Sequence, residues 1–192
     1  MSRFVAIVLS VLAASVVLPV SSSLALASKK LPDMKTVSHV DVDRYLGLWY
    51  EIARFPNSFQ KGCDSATAEY SLVSEGTLRV FNTCLSSKNG EARTADGEAK
   101  IADRNTNAKL KVTFLPKWLR FLNIGLANYW IIDLDVDYRW VVVSEPSRKF
   151  MWILSREPQM SQDVYEGILK RAQEQDLDVS KLIASRPGSV TQ

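Results

Sequence analysis

The chain has 192 residues, 46% of them apolar and 23% charged, with 24 Lys+Arg against 21 Asp+Glu for a net charge of +3. That near balance argues against a dedicated nucleic-acid binder, which needs a clustered basic face. The length fits one domain with a substantial core or cavity, preceded by a leader.

Residues 1–27 read as a secretory signal: Arg3 gives the charged start, Phe4–Val20 the apolar run, and Ala25-Leu26-Ala27 a small-x-small cleavage site. Pro19 and Ser21–Ser23 interrupt the run short of the ~20 residues that a membrane-spanning helix needs. Cleavage removes one Arg and no acid, so Lys+Arg falls from 24 to 23 against 21 and the mature charge is +2. The only cysteines are Cys63 and Cys84, so none stands at the cleavage site to take a lipid anchor. The product is expected to be soluble, in the periplasm or secreted. Residues 28–40, with Lys29, Lys30, Pro32 and His39, read as an extended arm before a barrel over 41–186.

Gly47 gives a tight turn into an alternating run, with Trp49, Glu51, Ala53 and Phe55 predicted on one face and Tyr50, Ile52 and Arg54 on the other. Glu51 is the one charge on that first face, either a ligand contact or a paired carboxylate. Ala66–Leu72 and Leu78–Asn82 alternate about the Ser74-Glu75-Gly76 turn as a hairpin. Two cysteines in an exported protein usually pair, but simple register sets Cys84 opposite Ala66, so a Cys63–Cys84 bridge needs a bulge or a curled strand start; the alternative is two buried thiols. Further strands are predicted to end at Ile101 and to cover 108–114, 128–134, 138–144 and 149–156. Eight short, evenly spaced strands with no helix between them make an antiparallel meander, and closure into an up-and-down barrel removes its edges. A helix is predicted near 161–175, capped by Ser161, with Val164, Ile168 and Ala172 on its apolar face. A tail follows over 187–192.

Catalytic constellations are scarce. His39 is the only histidine, so a Ser-His-Asp or Cys-His device would have to recruit it from the arm. No phosphate loop and no Cys/His cluster for zinc is present. Asp133, Asp135 and Asp137 alternate like calcium ligands but lack the glycine and distal glutamate of an EF-hand loop, so they read as a solvated turn. The expectation is therefore no enzyme, no cofactor and no metal.

Gly47-Leu48-Trp49, extended as Leu46-Gly-Leu-Trp-Tyr-Glu-Ile-Ala-Arg-Phe55, resembles the first motif of the lipocalins, and most of all that of the bacterial outer-membrane lipocalins and apolipoprotein D-like proteins. Asp137-Tyr138 resembles the second motif, with Val136 in place of its Thr, and Arg156 the third. The resemblance covers about residues 42–183 and implies a mainly β fold, an eight-stranded antiparallel barrel with a C-terminal helix packed on it. Alternation of rims brings Gly47, Trp49, Tyr138 and Arg156 together at one closed end, where they are structural. The bacterial members carry a lipidated Cys after the leader; here Ala25-Leu-Ala27 stands instead.

The implied function is binding and carriage of a small hydrophobic ligand, a fatty acid or lysophospholipid, for lipid transport or storage at the bacterial cell envelope. The expected cavity face comprises Ala53, Phe55, Ala68, Tyr70, Val80, Val112, Phe114, Trp130, Ile132, Trp140, Val142 and Trp152, and small Ala53, Ala68 and Ala99 argue against a filled barrel. The alternatives are a lipid isomerase using a free barrel cysteine, or a pigment or tetrapyrrole scavenger. The 114–126 connection is placed at the open mouth, with Leu115, Trp118, Leu119 and Leu122 at helical spacing apart from Lys117 and Arg120. It is read as a peripheral membrane contact that also brings Trp118 to the ligand, against a lid or a homodimer interface.

Overall fold

The computed structural model describes residues 31–86, 88, 90–186 and 190–191. The expected signal segment, residues 1–27, lies outside the described residues.

The arm from Leu31 to Asp41 runs across the base of a barrel. Its backbone is tied by Val37 N–H to Ile131 O (3.0 Å) and Val40 N–H to Thr106 O (2.7 Å), and Val40 is buried in the core. One helical turn follows, α1 (Val42–Tyr45), whose Arg44 N–H is capped by the Asp41 carboxylate. Gly47, at φ +91°, then turns the chain into β1 (Gly47–Arg54). A Cβ at that position would lie at an ordinary contact distance of 3.5 Å from Arg156 Nη1, so it is the backbone angle that calls for glycine.

β2 (Ser65–Ser74), β3 (Thr77–Leu85), β4 (Ala92–Ile101), β5 (Lys109–Thr113), β6 (Ala127–Leu134), β7 (Trp140–Ser144) and β8 (Met151–Ser155) follow; from β1 to β8 each strand pairs antiparallel with its neighbour in sequence, and β8 pairs back with β1. The eight-stranded barrel is therefore closed, as predicted. β9 (Met160–Ser161) leads into α2 (Gln162–Gln173), which carries Asp163 in its first turn and Lys170 and Arg171 in its last. A 3-10 turn over Val179–Lys181 precedes β10 (Ile183–Ala184), which pairs with Ala53 and Arg54 of β1.

Two apolar layers result. Inside the barrel, Trp49, Tyr70, Leu78, Val80, Leu110, Val112, Ile131, Val141, Val143 and Leu154 pack together. Between the sheet and α2 lie Ile52, Ala53, Phe55, Ile132, Val142, Met151, Ile153, Ile168 and Ala172. The switch between layers occurs at bulges: the β1–β8 register slips between Glu51 and Ala53, and the β6–β7 register between Ile131 and Asp133.

The closed end is a clamp on Trp49. Its indole Nε1 donates to Tyr45 O (2.9 Å), and the Arg156 guanidinium lies 3.7 Å from the ring centroid. That guanidinium donates to three carbonyls, of Leu48 (2.7 Å), Arg44 (2.7 Å) and Leu46 (2.8 Å). Tyr138 accepts the Asp41 N–H on its hydroxyl and lies under the Arg44 guanidinium at 4.2 Å. Arg156 thus ties the end of the last barrel strand to the start of the first. Trp49→Ala should lower stability by about 3–5 kcal/mol and Arg156→Ala by about 1–3 kcal/mol, while the folded fraction keeps its ligand affinity. Denaturant melts paired with ligand titrations check this; unchanged stability with lost binding would reverse the assignment.

Candidate functional site

Above the clamp the barrel is hollow. A cavity of about 780 Å³ opens at the rim opposite Trp49. Its existence follows from side-chain size: Ala66 and Ala68 on β2, Ala95 on β4 and Ala127 on β6 line it where larger residues would fill the barrel. Gly97 serves a close approach, since a Cβ there would lie 2.7 Å from the Phe114 ring. Ala99 lies lower, in the packed core.

Six of the expected ligand-contact residues line the cavity: Ala68, Tyr70, Val80, Val112, Phe114 and Trp152. Six others, Ala53, Phe55, Trp130, Ile132, Trp140 and Val142, stand on the opposite face, in the layer beneath α2. The reason is physical. Strands β6, β7 and β8 are apolar on both faces, one toward the cavity and one toward the helix, so alternation alone does not choose between them. On β1 the Glu51–Ala53 slip turns Ala53 to pair with outward-facing Ile153 and sets Arg54 beside Trp152. Trp130 and Trp140 carry Lys109 and Arg171 over their rings, at 4.6 Å and 5.2 Å. Trp118 is 72% exposed on the mouth loop and forms no part of the wall.

The mouth is held by polar and covalent ties. Cys63 and Cys84 are disulfide-bonded, with Cα atoms 5.3 Å apart. Ala66 does pair with Cys84; a turn ahead of β2, with Cys63 N–H donating to Gln60 O (3.0 Å), curls Cys63 back to the bridge. Glu51 lines the cavity but is satisfied: its carboxylate accepts from Arg54 Nη1, from Gln60 Nε2 (2.6 Å) and from the Ser185 hydroxyl. Arg54 also donates to Cys63 O (2.9 Å). This buried pair links β1, the β1–β2 loop and the segment after β10, and removing either member would strand the other charge. Gln60 Oε1 accepts from Trp152 Nε1 (2.9 Å), fixing that indole at the wall. Phe59, Phe150 and Trp152 form an aromatic group, with Phe150 stacked on Trp152 at 5.9 Å. Arg93 borders the cavity beside the disulfide, donating to Lys61 O (2.6 Å), and has no carboxylate partner among the described residues.

At the floor, the hydroxyls of Tyr45 and Tyr70 each meet that of Tyr129, at 2.6 and 2.8 Å. Tyr129, Gln60, Asn82 and Arg93 were not expected at the site. Tyr129 alternates with the Trp130 face and so was legible once that face is placed outward. Gln60 and Arg93 sit on or beside mouth loops, where no periodicity marks them.

A closed eight-stranded barrel with a clamped base, a helix on its wall and a single-mouthed apolar cavity has the architecture of a lipocalin. The lipocalin-like domain model matches residues 40–187, and the chain belongs to that family. It is 40% identical over 154 residues to temperature-induced lipocalin-1 of Arabidopsis thaliana, covering 78% of this chain and 81% of that one. It is 39% identical to outer membrane lipoprotein Blc of Escherichia coli (strain K12), covering 80% and 83%, and 31% identical to apolipoprotein D of Rattus norvegicus, covering 80% of each. Among solved structures, insecticyanin from Manduca sexta superposes with a TM-score of 0.64 at 23% identity over 81% of this chain and 85% of that one, which shows the fold.

Of the five tryptophans, Trp152 is the one on the cavity wall. A change in tryptophan emission on adding a long-chain fatty acid should therefore vanish in Trp152→Phe and persist in Trp130→Phe and Trp140→Phe. Filling the void with Ala95→Phe should weaken binding at least about tenfold, on the scale of a lost apolar side-chain site, with the fold kept by circular dichroism. Full binding by the filled variant would place the ligand elsewhere.

Proposed function

We propose that the protein binds and carries one single-chain amphiphile, a fatty acid or lysophospholipid, with its acyl chain in the barrel cavity. The carrying observation is a preformed cavity of about 780 Å³ walled by Ala68, Tyr70, Val80, Val112, Phe114 and Trp152, a size and lining suited to a small apolar ligand. Burying about twelve CH₂ groups would supply roughly 10 kcal/mol, of the same order as the cost of association. Arg93, at the mouth without a carboxylate partner among the described residues, suits an anionic headgroup. The role assigned is lipid transport or storage at a bacterial cell envelope, after export and cleavage before Ser28, in the periplasm or outside the cell. A relative named as an outer-membrane lipoprotein supports the envelope setting; Ala25-Leu-Ala27 supports a soluble product without a lipid anchor.

Binding and carriage, rather than catalysis, is the reading supported by the bonded cysteines: the isomerase alternative depends on a free barrel thiol, and Cys63 and Cys84 are joined. A haem scavenger with an axial imidazole is not supported, because His39, the one histidine, is exposed on the arm outside the cavity wall. Calorimetric titration with saturated fatty acids of increasing length decides the carrier reading. Affinity should rise about fourfold per CH₂ until the cavity is full, at one ligand per chain. Affinity independent of chain length would overturn it.

The mouth loop is proposed to rest on a lipid surface. It contains a 3-10 turn over Lys117–Leu122, and Trp118, Phe121, Leu122 and Ile124 are 72%, 73%, 46% and 55% exposed. Lys117 is exposed beside them. Arg120 is not the second headgroup cation envisaged from sequence, because it is buried, donating to Leu115 O (2.8 Å) and to the Asp96 backbone and carboxylate. It braces the loop so that the aromatic pair points out, as an interfacial contact needs. Trp118→Ser with Phe121→Ser should abolish co-sedimentation with anionic liposomes and leave fatty-acid affinity within about twofold, since neither residue lines the cavity. Equal sedimentation would leave a dimer interface, visible in the sedimentation coefficient of the soluble protein.

A further inference from the structure

Among the described residues, two charged side chains border the cavity, Glu51 and Arg93. Glu51 is paired with Arg54 at 2.5 Å and accepts from Gln60 Nε2 at 2.6 Å. Arg93 is held at the rim through its Nη2, which donates to Lys61 O (2.6 Å) and lies 3.6 and 3.4 Å from the sulfurs of Cys63 and Cys84. No carboxylate pairs with it among the described residues. The mouth therefore carries a fixed positive charge whose counterpart is an anion from outside the chain.

Beside that charge stand three rings. The centroids of Phe59, Phe150 and Trp152 lie 5.7, 6.2 and 5.9 Å apart, a nearly equilateral triangle, and all three side chains border the cavity. The indole is fixed by its bond to Gln60 Oε1. Three other tryptophans already hold a cation of the protein over the ring: Arg156 on Trp49, Lys109 on Trp130 and Arg171 on Trp140. Trp152 holds none among the described residues. One cation seated over the triangle would lie within the ~6 Å reach of all three rings. The stretch Phe59-Gln60-Lys61 ties both features together: Phe59 is a corner of the triangle, Gln60 fixes Trp152, and the Lys61 carbonyl holds Arg93. The Cα atoms of Phe59 and Lys61 are at most about 7 Å apart.

We propose that the mouth is a headgroup site for a zwitterionic lysophospholipid, with Arg93 taking the phosphate and the Phe59–Phe150–Trp152 triangle taking the cationic nitrogen beyond it. The inference rests on the carrier reading above and adds the class of headgroup to it. A phosphodiester and an ammonium group joined by a short alkyl linker, as in choline and ethanolamine headgroups, match two poles held by neighbouring residues of one loop. The cation meets ring faces rather than a carboxylate, because the carboxylate on the cavity wall is already paired with Arg54. The acyl chain has the barrel below. Arg93 pairs across from Cys84, and Cys84 from Ala66; four residues of β2 then separate that level from Tyr70 at the floor, roughly 13 Å along the strand. A plain fatty acid would engage Arg93 and leave the triangle empty.

The test titrates lipids of one acyl length, short enough to stay monomeric, into the full protein by calorimetry: the fatty acid, and the lysophospholipids with choline, ethanolamine and glycerol headgroups. The glycerol form keeps the phosphate and lacks the cation. At least one zwitterionic form should bind the wild type about tenfold or more tightly than the glycerol form, and the tighter of the two identifies the nitrogen. In Phe59→Leu/Phe150→Leu, which keeps apolar bulk and removes two ring faces, that preference should fall to within about threefold while fatty-acid affinity stays within about twofold of wild type. Arg93→Gln should weaken every phospholipid at least about fivefold and keep the preference for the cation. Equal affinity of the wild type for all three phospholipids overturns the inference, as does a preference that survives intact in the double variant or phospholipid binding unchanged in Arg93→Gln. If the double variant does not fold, Phe59→Leu alone, at a side chain that is 61% exposed, should still lower the preference at least about twofold, and no fall overturns the inference equally. Failure of every lipid to bind the wild type overturns the carrier reading and this inference together, whereas a bound fatty acid with no preference among the phospholipids overturns this inference alone.

Discussion

The contact on which the rest of the barrel depends is the Arg156 guanidinium over the Trp49 ring. A barrel made from a meander must join its first and last strands, and β1 and β8 pair only from Tyr50 to Arg54 on the first strand. At the base, that short ladder is completed by side chain rather than backbone: Arg156 donates to three carbonyls on the approach to β1 and into its start and covers the indole that plugs the end. With the base closed by large side chains, the middle of the barrel can be built from small ones. Hollowness is affordable in stability because the apolar burial is concentrated below the cavity and in the second layer under α2.

That second layer explains what could and could not be read in advance. The eight strands, their order, the closed end and the helix over 162–173 were legible, because turn residues and period-2 alternation mark them and the motif around Gly47 and Trp49 fixes the first strand. Faces were harder. On β2 and β3 one face is apolar and the other polar, and Ala68, Tyr70 and Val80, on the apolar face, line the cavity. On β6 and β7 both faces are apolar, and the larger residues, Trp130 and Trp140, drew the assignment although they serve the helix-facing layer. The slip at Ile131–Asp133 further breaks the count on β6. On β1, strict alternation past Glu51 put Ala53 and Phe55 inside, whereas the slip turns Arg54 inward to neutralise Glu51.

Loop-borne features carry no period at all. Gln60, which orients Trp152 and partners Glu51, lies in a connection whose conformation is set by the Cys63–Cys84 bridge and the Arg54 bond to Cys63 O. Arg120 looked like a free basic residue by spacing, yet its burial against Asp96 is what leaves Trp118 and Phe121 pointing outward. The tyrosine chain at the floor joins α1, β2 and β6, elements up to 84 residues apart, and only tertiary structure brings it together.

The central claim is that this cavity is occupied by a single acyl chain in the working protein. Native mass spectrometry of the protein isolated with gentle extraction from its own source, with the adduct then identified by fragmentation, tests it most directly. One single-chain lipid per protein, lost in Ala95→Phe and retained in Trp130→Phe, is the result the account predicts. An adduct that survives filling of the cavity, or the absence of any lipid adduct in protein that also fails to take up added fatty acid, would contradict it.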